Sequence, residues 1–109
     1  MTGGEHLRER LLELFEIGRH SLELVGREVR EADGFIVEEL KFRTGGGEAV
    51  RGVLTRPLES QGPQPAILCL HAHGFRYDVG ASELLDGRPS LHSPVGPLFA
   101  RLGYVALMI

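Results

Sequence analysis

Pro65-Ala66-Ile67-Leu68-Cys69-Leu70-His71-Ala72-His73-Gly74-Phe75 is the stretch that decides how this chain is read. A short, unbroken apolar run gives way at once to two histidines and a glycine. A parallel strand covered by helices on both faces loses its polar alternation, whereas a half-wet strand keeps it. In an open α/β sheet, ligands gather beyond the carboxyl ends of such strands. The run therefore predicts a strand over 65–70, buried on both faces, that delivers the loop after it to a reaction site.

Downstream, the connection from His71 to His92 carries glycines at 74, 80 and 87 and charges at Arg76, Asp78, Glu83, Asp86 and Arg88. Connections this long in a compact domain are commonly functional. A helix is predicted to begin at Ser93-Pro94 or Gly96-Pro97 and to end at Gly103, because serine caps, proline suits the first helical position and glycine closes the last turn. Leu98, Phe99 and Leu102 give it an apolar face, and Tyr104–Ile109 reads as the next strand. Strand, loop, helix and strand make a βαβ unit, right-handed by default.

Upstream, Phe35–Arg43 and Ala49–Thr55 predict an antiparallel hairpin turning through Thr44-Gly45-Gly46-Gly47-Glu48. Ile36, Leu40 and Phe42 share one side of its first strand and Glu39 and Lys41 the other, as in a sheet with one wet face. Pro57 closes the second strand, and Glu59–Pro65 is a surface loop. From Glu5 to about Arg30, Leu7, Leu11, Leu14, Phe15, Leu22, Val25 and Val29 recur at steps of three, four and seven. That spacing predicts an amphipathic helix, broken near Gly18 or Gly26 and packed on the domain's flank. The expected architecture is α/β. A helical segment over 1–34 leads into a unit over 35–109 that holds the hairpin and the βαβ crossover in a four-stranded sheet.

The bulk numbers narrow the function. With 109 residues, 42% hydrophobic and 25% charged, the chain has the composition of one ordinary globular domain. A net charge of −3 with scattered basic residues excludes the electrostatic footprint of a nucleic-acid partner. No apolar run approaches the roughly 20 residues of a membrane span, and the N-terminus lacks the build of a signal peptide, so a cytoplasmic location without membrane association is expected. The single Cys69 makes no internal disulfide; in mid-strand it is expected to be a core residue with a raised thiol pKa.

The chemistry concentrates in His71-Ala72-His73-Gly74. Backbone N–H groups freed from a ladder at a strand end can converge on one point, and a glycine lets the chain bend closely enough to aim them at an oxyanion. The His71 and His73 rings are expected to bond neighbouring backbone.

Taken with Gly-Val-Leu-Thr-Arg-Pro at 52–57 and Leu98-Phe99-Ala100-Arg101-Leu102-Gly103-Tyr104-Val105-Ala106-Leu107, this loop gives residues 35–109 a resemblance to the N-terminal part of an α/β-hydrolase. The chain is most similar to the dienelactone hydrolase and acetyl xylan esterase-like branch. The resemblance implies serine-type hydrolysis of small carboxylic esters or lactones without a cofactor. One oxyanion donor would come from the backbone N–H of His73 or of Gly74. Phe75, Arg76 and Tyr77, with Asp78, would border the substrate pocket. Ala72 stands where many relatives carry glycine.

The same resemblance implies a nucleophilic serine on a Gly-x-Ser-x-Gly elbow, followed by an acid and a histidine. The serines are 21, 60, 82, 90 and 93, and the nearest approach, Gly80-Ala81-Ser82-Glu83-Leu84, lacks the second glycine. The expectation is a truncated piece with one side of an oxyanion hole and no triad. It would be inactive alone and self-associating through an uncovered sheet. Two other readings stay open. His71 and His73, two apart on one strand face, could begin the metal site of an amidohydrolase. Alternatively, the glycine loop could serve a small non-enzymatic binding module, although no Gly-x-Gly-x-x-Gly or Walker pattern is present.

Overall fold

A computed structural model of the chain describes residues 2–15, 21–59, 62–72 and 79–109. Among them, helix α1 (Gly3–Leu14) precedes strands β1 (Leu22–Ala32), β2 (Phe35–Thr44), β3 (Ala49–Pro57) and β4 (Ala66–Cys69). A 3₁₀ turn (Gly80–Ser82), the short helix α2 (Glu83–Asp86), helix α3 (Val95–Arg101) and strand β5 (Val105–Met108) follow. The strands form one mixed sheet in the order β1-β2-β3-β5-β4. β1, β2, β3 and β5 run antiparallel to their neighbours in turn, and β4 lies parallel to β5. The fold class is α/β as read, with the hairpin and the βαβ unit in place.

The N-terminal segment corrects the sequence reading. Helix stops at Leu14, and Leu22–Ala32, expected to be helical, is an edge strand paired with β2. Thr2 and Glu5 form a reciprocal capping box at the start of α1: Glu5 N–H donates to Thr2 Oγ1 at 3.2 Å and Thr2 N–H to Glu5 Oε2 at 2.7 Å. Yet α1 buries none of its residues, so the helix is capped but not packed into the flank as expected. β1 joins β2 through the two-residue turn Asp33-Gly34, where Gly34 takes φ +87°. Such a turn matches the twist of the strands it connects.

Cross-strand register assigns the faces. Val37, Thr55 and Ala106 lie in one row across the sheet, and Val53 pairs with Met108 on the same side. These residues are almost wholly buried, and α2 and α3 cover them, with Leu84 of α2 fully enclosed. Burying a leucine of this kind contributes about 1.5–3 kcal/mol. α3 approaches closely because Gly96 has no Cβ: one built there would lie 2.6 Å from the Leu84 carbonyl oxygen and 2.9 Å from Thr55 Cγ2. In return the buried Thr55 hydroxyl donates to the Gly96 carbonyl at 3.0 Å.

The helix-covered side is therefore that of Phe35, Val37 and Glu39, not that of Ile36, Leu40 and Phe42. On the opposite face the Phe42 ring lies over Gly52, and Leu68 and Val29 remain exposed. β4 likewise departs from expectation. It is not buried on both faces: Ile67 and Cys69 are half-buried on the helix side while Ala66 and Leu68 are exposed on the other. On the uncovered face the buried Glu38 of β2 accepts from Arg27 Nε of β1 and from Arg56 Nε of β3, the latter at 2.8 Å. Desolvation pushes its carboxyl upward, but the two arginines together outweigh it and hold the pKa below the usual carboxylate range.

Gly96→Ala is expected to lower unfolding stability by ~1–3 kcal/mol in urea titrations, because the added methyl meets backbone that cannot yield. Gly4→Ala, with open space around its Cβ, should show no such loss. For Glu38, whose folded pKa is depressed, the stability it contributes is complete above the unfolded carboxylate value and disappears as pH falls through the folded one. Thermal unfolding followed across that acidic window should show a steeper decline for the wild-type chain than for Glu38→Gln. At neutral pH the variant should already be weaker by ~1–3 kcal/mol.

Candidate functional site at the carboxyl end of β4

β4 ends at Cys69, paired with Met108, and the chain leaves the ladder as Leu70-His71-Ala72. The Ala72 carbonyl is held from two directions. His71 donates to it from Nδ1 at 3.2 Å, which places the ring proton on that nitrogen. Arg88 donates to it through Nη2, while Nε of the same guanidinium donates to Glu83 Oε1. The Arg88 and Glu83 side chains are 8% and 7% exposed, an ion pair almost out of water.

Local sequence explains how two residues five apart come to face each other. α2 is a single turn, closed by Gly87, whose N–H donates to the Glu83 carbonyl at 2.8 Å. Gly87 takes φ +67°, a conformation side chains resist, and it packs against Pro94. The chain thereby reverses and carries Arg88 back over Glu83, and Leu84 in the core anchors the whole turn.

Cys69 points to the same side as Ile67 and packs partly against the core. Burial pushes its thiol pKa up, and the negative charge of Glu83 adds to the rise. It is a packing residue poorly suited to nucleophilic attack, as the sequence suggested. Ser82 is committed too, its hydroxyl donating to the Val79 carbonyl within the 3₁₀ turn.

Of the residues singled out from sequence, His71 and Ala72 follow β4 at its carboxyl end, with the His71 ring bound to backbone as expected. His73, Gly74, Phe75, Arg76, Tyr77 and Asp78 lie outside the described residues. Among the described residues, no three His, Cys, Asp or Glu side chains gather closely enough to hold a metal ion. No helix is long and apolar enough to cross a membrane. Sequence reasoning missed the Arg88–Glu83 pair. Its signal was two opposite charges flanking a glycine in a long connection.

No protein-family model matches the chain. YtaP of Bacillus subtilis (strain 168), provisionally named a hydrolase, is 37% identical over 82 residues, which make up 74% of this chain and 27% of YtaP. A crystal structure of a provisionally named acetyl xylan esterase from Bacteroides fragilis NCTC 9343 aligns with a TM-score of 0.67 at 20% identity. That alignment covers 94% of this chain and 28% of the esterase. The chain thus spans about a quarter of the length of the relatives it matches. The structural likeness establishes the fold, a mixed α/β sheet of the esterase-like kind.

Alkylation of Cys69 by iodoacetamide is expected to rise with pH at a midpoint above that of a free thiol. Glu83→Gln should move that midpoint down, because it removes a negative charge and frees the positive charge of Arg88. An unchanged rate–pH profile would refute the electrostatic link between the helix turn and the strand end.

Proposed function

We propose that this chain forms the N-terminal part of an α/β-hydrolase of the dienelactone hydrolase and acetyl xylan esterase-like branch, acting on small carboxylic esters or lactones. Its contribution is one side of the oxyanion hole, through the backbone N–H of His73 or Gly74. The observation that carries this reading is the carboxyl end of β4. A strand parallel to its neighbour releases its chain into a loop in which the Ala72 carbonyl is held by Arg88 and His71. The 37% identity to YtaP supports the hydrolase class.

In acyl transfer the substrate carbonyl oxygen turns negative as the tetrahedral intermediate forms. Main-chain donors aimed at that position stabilise it without reorganising at the moment of reaction, and removing one donor costs about 2.7–4 kcal/mol. The nucleophile, acid and base of this reading would lie in sequence beyond these 109 residues. Ser82 is held by the Val79 carbonyl and the Cys69 thiol is raised in pKa, so neither substitutes for the elbow serine. The chain by itself should leave esters intact.

Turnover of p-nitrophenyl acetate and of dihydrocoumarin by the whole gene product tests the class, and absence of turnover would refute it. Replacing a donor residue by proline deletes its N–H. Either His73→Pro or Gly74→Pro should lower kcat by ~100- to 1,000-fold with little change in KM. Full activity in both variants would exclude the loop as an oxyanion donor.

A further inference from the structure

We infer that the free edge of β1 is a dimer interface, on which a second copy of this chain lays its own β1 antiparallel, with Val29 on the two-fold axis. β1 ends the sheet, and among the described residues no main-chain bond from another element reaches the outer side of Leu22–Ala32. Which groups face outward follows from the Asp33-Gly34 turn. A two-residue turn closes with a hydrogen bond between the residues that flank it, here Ala32 and Phe35. Bonded and open pairs alternate along an antiparallel ladder, so Ala32, Arg30 and Glu28 bond inward to β2. Arg27, Val29 and Glu31 therefore turn their N–H and C=O groups away from the sheet.

The run Arg27-Glu28-Val29-Arg30-Glu31 is complementary to itself. Set antiparallel about Val29, Arg27 meets Glu31 of the second copy and Glu28 meets Arg30, and both exchanges repeat across the axis. The same register places the outward groups of Arg27, Val29 and Glu31 opposite one another, so side-chain charge and main-chain bonding select one alignment. A slip of two residues keeps the bonding pattern but sets Glu28 against Glu28 or Arg30 against Arg30, and like charges directly opposite destabilise a sheet. The charges are within reach of a partner: the Arg27 and Arg30 side chains are 51% exposed, and Glu28 and Glu31 form no ion pair among the described residues. Charge on an edge strand is a common guard against open-ended pairing, but a guard has no need of self-complementarity. The bulge between Leu24 and Gly26 and the turn at Asp33-Gly34 bound the run on either side, and an isologous pair uses the free edge once and closes. Val29, exposed on the uncovered face, then packs against its own copy.

Sedimentation velocity of the whole gene product tests the inference, and the wild-type protein should show a concentration-dependent dimer. Glu28→Arg sets like charges together at both Arg30 positions and should weaken the dimer by about tenfold or more. Within the chain Glu28 lies across from Glu39, so this substitution relieves a like-charge pair and leaves the fold intact. Combining it with Arg30→Glu exchanges the signs and should restore the dimer. In a Cys69→Ser background, Val29→Cys should form a disulfide-linked dimer under mild oxidation, because opposed Cα atoms of a bonded pair lie about 5.5 Å apart. Glu23→Cys, far from the axis, should not. A monomeric wild type overturns the inference. A dimer indifferent to Glu28→Arg, or cross-linked as readily through position 23, overturns it too and assigns assembly to another surface.

Discussion

The helix layer meets the sheet tightly at Gly96, and the rest of the arrangement depends on that contact. A buried threonine hydroxyl must find an acceptor or incur a desolvation penalty, and the Gly96 carbonyl is the acceptor that Thr55 finds. Only a residue without a Cβ lets that carbonyl come so near while Leu84 packs against the same point. With α3 seated in this way, α2 has one place to lie. Its leucine faces the core and its glutamate faces the strand end, so the polar link at Ala72 follows from apolar packing two residues and one turn away.

The sheet is stabilised differently on its two faces. On the helix side, shape and burial fix the register of β2, β3 and β5. On the other side, Glu38 sits between arginines from both neighbouring strands, and a slip of one residue would send this carboxylate to the opposite face without partners. Glu39 shows how much burial matters: its ion pair with Arg51, at 3.0 Å, lies in solvent and adds little to that specification. Apolar packing therefore positions the crossover unit, and an enclosed carboxylate between two partly exposed arginines keeps the hairpin beside it in register.

Much of this was legible in the sequence. The β2–β3 hairpin, the stop at Pro57, and an α3 lying between Pro94 and Gly103 follow from local chemistry, and the structure places each within a residue or two. β1 was misread because Leu22, Val25 and Val29 fit a helical period. An edge strand exposed on both faces is under no pressure to alternate, so periodicity carried no strand signal there. Asp33-Gly34, a two-residue hairpin signal directly before β2, would have identified it. Alternation along β2 separated its two faces correctly but could not say which one the helices cover. The apolar run of β4 implied cover on both faces, whereas its exposed side depends on what lies next to it, which local sequence does not record.

The site was half legible for the same reason. The loop after β4 announces itself through glycine and histidine, because main-chain geometry is written locally. The group that holds the strand end does not. Arg88 reaches Ala72 across sixteen residues, and only through a turn made by Gly87 and a pair made with Glu83. No spacing rule connects those positions. Here the Ala72 carbonyl is held by Arg88, whose side chain is nearly enclosed together with that of Glu83, so the position of the strand end is settled by folding.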